Sequence, residues 1–544
     1  MMPLAEQTLA WTDQWFDPEV SLLRNPPGSF LSQGVADGAV HLLPQSAWYA
    51  FGLFERSDPG DTDRANAVLA AVLAHQYDRP GTVWHGTFSR FAETPEPDQA
   101  QGRAREWTDY DPNWRQFIGT TLLLLLRHHE GAVADVTAVE RALRLAAVGE
   151  PADRVTAAYT NIALMKALVL VEAGGRLGEP GWVHDGHELA AAVVTRFHDH
   201  HDAFDEFNSP TYYGIDLFGL ALWRTCPVSE VLRRDGAALE AALWADVARF
   251  WHAGLRNLAG PMSRTYGADM GRYVAAVSLW IAEGVGIEHA PLPPFTPPDV
   301  AATPIDHGHD LVLAPLVARL GAVIPDHVVE MLRRTEGPAV GERFERLIGR
   351  RGGSHERVAA AWFGPGVAVG AERQSAGWHA VHQYRPVLVQ WSVPTPPSSF
   401  PVPSGPTTSP PHPPALPPIV AAPASVGGLW LTVPLPTSAE VDASGVLSVS
   451  LAPPLSRSAT DTTEPANPPA WPDAYLVIDI ANGEPTVVDD HLHLPGLTVT
   501  IGPAAAVGLA APVPLAPLWL VPLVFRGPTE TPHTLVLRPV VAGS

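Results

Sequence analysis

"FDEFNSPTYYGIDLFGLALW", residues 204–223, joins a polar cluster to a run that is almost wholly apolar. From Gly214 onward only Asp216 carries a charge, so a helix here has no polar face and must be buried on every side. Ser209 is a good N-cap, and Pro210 suits the first helical position, where a missing N–H costs nothing. Asp205, Glu206, Asn208, Tyr212 and Tyr213 therefore collect at the mouth of a buried helix.

The same kind of helix recurs. "HLLPQSAWYAFGLFE" (41–55), "NWRQFIGTTLLLLL" (113–126), "TAAYTNIALMKALVLVEA" (156–173) and "GRYVAAVSLWIAEGV" (271–285) are apolar nearly all round. Between them lie half-buried helices with 3.6-residue spacing, such as "DTDRANAVLAAVLAHQY" (61–77), "VTAVERALRLAAV" (136–148) and "AALEAALWADVARFWHAGL" (237–255). Strict alternation of the two kinds predicts an (α/α) toroid of five or six inner helices over residues 1–335. A plain helical solenoid is the alternative, but no repeat of fixed period supports it. Asp111-Pro112, Glu150-Pro151 and Ser209-Pro210 mark inner-helix starts. Parallel inner helices bring these starts to one rim, with the partial positive charge of helix N-termini.

After a linker at 336–355 the period changes to two. "HAVHQYRPVLVQWSV" (379–393), "GLWLTVPL" (428–435), "GVLSVSLA" (445–452), "AYLVIDIA" (474–481), "LTVTIG" (497–502) and "HTLVLRPVV" (533–541) read as strands. Residues 356–544 are expected to form an antiparallel β-sandwich. The proline-rich stretch 394–418 is read as an extended insertion in it.

The chain has 544 residues, 57 of them proline, with a formal net charge of −22. A diffuse acidic balance argues against nucleic acid or an anionic membrane as the main partner. One cysteine, Cys226, excludes an intrachain disulfide and CxxC metal sites. The N-terminus has neither a basic start nor an apolar core segment, and no apolar run reaches membrane-spanning length. A cytoplasmic protein of unknown oligomeric state is expected, and no cofactor is called for.

Three clusters carry candidate chemistry. The first is the long stretch 81–115, with Trp84, His85, Arg90, Glu93, Arg105, Glu106, Trp107, Asp109, Asn113 and Trp114. Aromatic rings stack on sugar faces, and forked polar groups bind hydroxyls or a carboxylate. The bland reading is a rim loop whose aromatics only cover the helices. The second cluster is the opening stretch. Tyr212 and Asp216 share a helix face, and Asn208 lies just outside the helix. A phenol beside an amide suits proton abstraction next to a carboxylate; otherwise Asp216 is a paired buried acid and the tyrosines pack. The third is "GPMSRTYGADMGRY" (260–273), with Arg264, Tyr266, Asp269, Arg272 and Tyr273 expected before and on the first turn of an inner helix. There the bland reading is a helix-start ion pair.

"HDHHD" (198–202) reads as a solvated helix end, and "DHGHD" (306–310) as a helix cap that also offers His307 and His309 to a metal. His382 and Tyr384 would point to one face of a strand. No phosphate-binding loop, dinucleotide fingerprint or nucleophile elbow is present.

A helical toroid followed by an antiparallel β domain resembles the heparinase- and alginate-lyase-type polysaccharide lyases. It is also similar to glycoside hydrolases and phosphorylases with an (α/α)6 core. "FNSPTYYGIDLFGLALW" and "SRTYG" look like stretches of a group of bacterial and fungal proteins with no assigned activity. The resemblance implies β-elimination on a uronic-acid-containing glycan. It assigns Tyr212 or Tyr213 to the proton, Asn208 and Arg264 to the carboxylate, and Trp84, Trp107 and Trp114 to sugar stacking. The paired Asn-His element of some such lyases is missing, since Trp114 follows Asn113 and Ser209 follows Asn208. The alternatives are an inverting hydrolase using two of Glu93, Glu106, Asp109, Asp205, Glu206, Asp216 and Asp269, or a non-catalytic glycan-binding or scaffold protein.

Overall fold

A computed structural model describes residues 3–29, 40–97, 104–151, 154–295, 304–353, 356–373, 383–394, 425–432, 437–451, 475–480, 483–502, 507–515, 518–525 and 533–541. Of the proline-rich stretch 394–418, all but Pro394 lies outside them.

The N-terminal part is helical. Among the described residues its helices are α1 (Leu4–Thr12), α2 (Leu43–Arg56), α3 (Asp61–Ala74), α4 (Trp114–His129), α5 (Val136–Val148), α6 (Thr160–Leu177), α7 (Pro180–Asp199), α8 (Tyr212–Arg224), α9 (Glu230–Phe250), α10 (Ala276–Val285), α11 (Ala314–Leu320) and α12 (Asp326–Arg333). Local chemistry sets several of their ends. Asp135 accepts the Ala138 N–H at 2.9 Å ahead of α5, and Ser229 accepts that of Leu232 at 3.2 Å ahead of α9. Gly178, at φ 72°, ends α6 in the left-handed region.

Burial separates the two helix classes. In α4 every residue from Ile118 to Leu126 is buried. In α7 only Gly186, Ala190, Val193 and Phe197 are buried, one stripe at helical spacing. The buried helices α2, α4, α6, α8 and α10 each touch the next in that order, and α11 contacts both α10 and α2. The striped helices pack on them: α3 on α2, α5 on α4 and α6, α7 on α6, α9 on α8, and α12 on α10. The contact of α8 with α10 is at backbone distance. A Cβ on Gly214 would fall 2.2 Å from the Ala276 carbonyl carbon, and the Trp280 indole donates to the Gly214 carbonyl at 2.8 Å. No helix among the described residues is long and apolar enough to cross a membrane.

One expected helix begins late. Residues 271–275 are not helical, and α10 starts only at Ala276. The chain before it is pinned elsewhere, with Tyr273 bridged to Asp306 and the Val274 N–H donating to the Asp306 carbonyl at 3.0 Å. Asp269, Arg272 and Tyr273 therefore do not share a helical face. The expected inner helix at 156–173 likewise starts at Thr160.

The C-terminal part is sheet-rich and antiparallel. Strands Glu342–Ile348, Arg357–Gly364, Val367–Arg373, Val387–Ser392, Val426–Thr432, Tyr475–Asp479 and Leu518–Phe525 are neighbours in that order, with Val507–Leu509 and Val513–Leu515 both paired to the last. A second sheet runs Thr437–Val441, Leu447–Leu451, His533–Val541, Leu497–Gly502, His491–Leu494 and Thr486–Val488. The strand Glu342–Ile348 lies inside the stretch read as a linker from sequence.

Period-two alternation assigns the faces of the first sheet. Ala368, Leu388, Trp430 and Val477 belong to the core shared with the helices. Their neighbours Val367, Val369, Val387, Val389, Leu429, Leu431, Leu476 and Ile478 share a second core with Val449, Val499 and Leu535 of the other sheet. The helical part meets the first sheet closely. A Cβ on Gly370 would fall 2.0 Å from the Gly260 carbonyl carbon. Met262 and Arg385 exchange backbone hydrogen bonds at 2.9 Å, and the Gln390 amide donates to the carbonyls of Leu258 and Ala268 at 3.0 and 2.8 Å.

Candidate active site

The starts of α4, α6 and α8 are joined side chain to side chain. Asn113, just before α4, donates to the Tyr159 hydroxyl at 2.8 Å just before α6. Asn161, in the first turn of α6, donates to the Glu206 carboxylate at 3.0 Å ahead of α8. Arg154 completes this side, donating to Asn113 Oδ1 at 3.0 Å and to Glu150 at 2.9 Å. Tyr159 lies close enough to Tyr212 for the two phenols to raise the cost of ionising Tyr159, after burial itself.

Tyr212 opens α8 on the half-buried side. The Arg264 guanidinium stands over its ring, 4.6 Å from the centroid. The Tyr212 and Tyr266 hydroxyls lie close enough for each phenol to alter the other's ionisation. One residue positions the pair: Ser209 Oγ accepts the Tyr212 N–H at 3.1 Å and donates to the Arg264 carbonyl at 2.7 Å. Gln383, from the sheet-rich part, accepts from the Arg264 guanidinium. On its far side Tyr266 stacks on the His307 imidazole, with centroids 3.7 Å apart.

The two phenols differ electrostatically. Burial holds the Tyr212 phenol far above the usual range, and the neighbouring Tyr266 pushes it further up. Tyr266 is also raised by burial, but Arg264 and the Tyr212 hydroxyl both pull it back. Tyr266 is thus the easier of the two to ionise. Glu206 is pushed up to about 7, mainly by burial, and its Oε2 has no hydrogen-bond partner among the described residues.

Several candidates lie elsewhere, and burial or prior partners explain each. Asn208 is fully buried at φ 47°, and its amide donates to the carbonyls of Ala259 and Pro261, both at 2.7 Å. It braces the chain and does not reach toward a carboxylate. Tyr213 is 1% exposed and points into the core, where Asp246 and Arg346 are its charged neighbours. Asp216 is fully buried, and neither oxygen has a hydrogen-bond partner among the described residues. Asp205 pairs with Arg196 of α7, at 2.7 Å. Asp269 accepts backbone N–H groups from Gly271 and Val426 at 2.8 and 2.9 Å, and Arg272 pairs with Asp479. Both residues fasten the helical part to the sheet.

The 81–115 stretch divides in the same way. Trp84 is buried against Tyr77 and Tyr110 and offers no open ring face. The His85 ring accepts the Arg79 N–H at 3.0 Å, and Glu93 accepts the His41 N–H at 3.0 Å. Arg105 and Asp109 form an exposed pair at 2.9 Å. Arg90 donates to the Trp107 carbonyl, and Glu106 lies exposed beside Tyr110. Trp107 is 49% exposed, while Trp114 is half-buried, its indole donating to the Arg90 carbonyl at 3.1 Å. Arg115, not singled out from sequence, ties this stretch down by donating to the carbonyls of Val83 and His85 at 2.9 and 2.6 Å.

Sequence reasoning also passed over Tyr159, Asn161 and Arg154. The rule applied to residues 205–216, polar groups at the mouth of an apolar helix, would have found them after Glu150-Pro151. At 198–202, His198 and Asp202 pair at 2.7 Å at the exposed end of α7. Tyr384 donates to Glu372 at 2.7 Å, and His382 lies outside the described residues.

Residues 2–322 match a family described as Domain of unknown function (DUF8769). No curated protein matches the sequence. Among solved structures, the chain is similar to a heparinase III at 9% identity and TM-score 0.38, over 99% of this chain and 84% of that one. It is also similar to the chondroitin AC lyase of Streptomyces coelicolor A3, solved with chondroitin sulphate, at 12% identity and TM-score 0.42, over 99% and 79%. A further heparinase III aligns at 10% identity and TM-score 0.35, over 98% and 84%.

Proposed function

From a chain that belongs to the family described as Domain of unknown function (DUF8769), we propose a carbohydrate lyase that cleaves uronic-acid-containing glycans by β-elimination at the starts of its buried helices. In this reading the helical part is an (α/α) toroid, the sheet-rich part a β-sandwich, and the cleft lies on the rim where α4, α6 and α8 begin. The observation that carries the proposal is the Tyr212–Tyr266 pair under Arg264, two half-buried phenols in contact with one guanidinium 4.6 Å from the Tyr212 ring.

Arg264 binds the substrate carboxylate, which makes the adjacent C–H acidic. The Tyr266 phenolate, the more accessible anion of the pair, removes that proton. The C–H electrons form the carbon–carbon double bond, the neighbouring carbon–oxygen bond breaks, and Tyr212 protonates the departing oxygen. The proton gained by Tyr266 then passes to the neighbouring Tyr212 oxygen, which restores the starting state. Trp107 supplies an open ring for sugar stacking.

The test is a panel of uronate oligomers followed by the ultraviolet absorbance of an unsaturated product. Product formation that rises with pH through the neutral range supports the proposal, because the active base is an ionised phenol. Reducing sugar released from neutral glycosides, with no absorbance from any uronate, rejects it. A hydrolytic reading has one observation in its favour, the Glu206 carboxyl held near neutrality with one oxygen unpartnered. Loss of glycosidase activity in Glu206→Gln would establish that reading instead.

A further inference from the structure

Beyond Tyr266 the chain folds a second polar group that the elimination does not use. Residues 305–310 enter a short 3-10 turn, Gly308–Leu313, with His307 in the left-handed region at φ 54°. Ser29 clamps the turn, its carbonyl accepting the His307 N–H at 3.1 Å and its hydroxyl the His309 N–H at 3.2 Å. Both imidazoles are buried, His307 at 3% and His309 at 5% exposure. Asp310 is the most exposed of the three, with 18% of its side chain accessible.

We infer that His307, His309 and Asp310 form a binding site for one divalent transition-metal ion of the zinc class. Among the described residues, ligand atoms of these three side chains lie within 4.8 Å of one another. The separations suit a shared ion. Bonds of about 2.0–2.1 Å in a tetrahedral set place ligand atoms about 3.4 Å apart. His309 Nε2 stands 3.4 Å from Asp310 Oδ1 and His307 Nδ1 3.9 Å from Asp310 Oδ2, so the carboxylate turns one oxygen toward each imidazole. A ligand histidine is normally oriented by a carboxylate on its other nitrogen. Asp306 Oδ1 lies 4.0 Å from His307 Nε2, and that nitrogen has no hydrogen-bond partner among the described residues.

The site does not depend on the elimination chemistry. It sits under Tyr266 through the His307 stack and would fix the floor beneath that ring.

The test uses the full chain stripped with chelator, then titrated with Zn2+ against a chromophoric competitor and with Co2+ by visible absorption. One equivalent should bind, with cobalt bands typical of a low-coordinate nitrogen and oxygen site. His309→Ala and Asp310→Asn should each weaken binding at least about 10-fold and abolish the bands. Asp306→Asn should weaken it severalfold while keeping one equivalent. Circular dichroism in chelator serves as the folding control, and the isosteric Asp310→Asn carries the result if His309→Ala fails to fold. Stoichiometry well below one, or Asp310→Asn binding as tightly as the unaltered chain, overturns the assignment.

Discussion

Residues 205–216 and 260–273 look alike in composition, yet the structure uses them differently. Both set acids, tyrosines and an arginine or amide ahead of an apolar helix. In the first, α8 starts at once, and Tyr212 stands on its opening turn under Arg264. In the second, the chain runs non-helical as far as Ala275, and its later half turns to the sheet through Asp269 and Arg272. Its earlier half, Arg264 and Tyr266, joins the first region. Polar residues before a buried helix therefore divide by what lies nearest: other helix starts, or the strands of the sheet-rich part.

The largest expected effect would break this contrast at its sharpest point. Tyr212→Phe should cost about 10²- to 10⁴-fold in turnover, while Tyr213→Phe should leave rate and stability close to unchanged. The second phenol is buried with no partner for its hydroxyl among the described residues, so removing that oxygen forfeits no hydrogen bond. Equal losses in the two variants, measured by initial rates on the same uronate, would erase the distinction.

Next comes the arginine pair. Arg264→Ala should lose about 10²-fold in kcat/KM at little cost in stability. Arg272→Ala should do the reverse, lowering stability by about 1–2 kcal/mol in urea unfolding and leaving kcat/KM nearly intact, because its partner Asp479 belongs to the sheet.

The smallest expected effect concerns pH. The Asp216 carboxyl is held well above its ordinary range, first by burial and then by Glu206 and Asp205. The folded chain therefore keeps a proton there that the unfolded chain releases. Stability from this group is full at low pH and declines as pH rises beyond the ordinary carboxylate range. Asp216→Asn should remove that decline, and should be more stable than the parent near pH 8 by a margin that closes toward pH 4. Parallel stability curves would show that Asp216 finds a partner after all.

How much of this was legible from sequence follows from range. The division into a helical and a sheet-rich part rests on local periodicity, and 3.6-residue and two-residue patterns are visible within one element. Ser209 as a cap is equally local, and its hydroxyl does take the Tyr212 N–H. Helix α11 and the strand Glu342–Ile348 escaped notice, the first because it is short, the second because "ERFERLI" carries four charges in seven residues without period-two alternation, on a mostly exposed edge. At the site, residue type suggested Tyr212, Arg264 and Tyr266 but could not separate them from Tyr213 and Asn208. That separation depends on which way a side chain leaves the first helical turn and on carbonyls at 259 and 261, remote in sequence. Trp84 and Trp107 show the same limit: two tryptophans of one stretch, one buried and one open.

Ser209 has one more consequence. Its single oxygen receives from the start of α8 and gives to the segment that carries Arg264. The main chain beneath the phenol and the main chain beneath the guanidinium are consequently tied through a single side-chain oxygen. A displacement of the start of α8 is therefore handed to the Arg264 segment by one hydroxyl, with no intervening element.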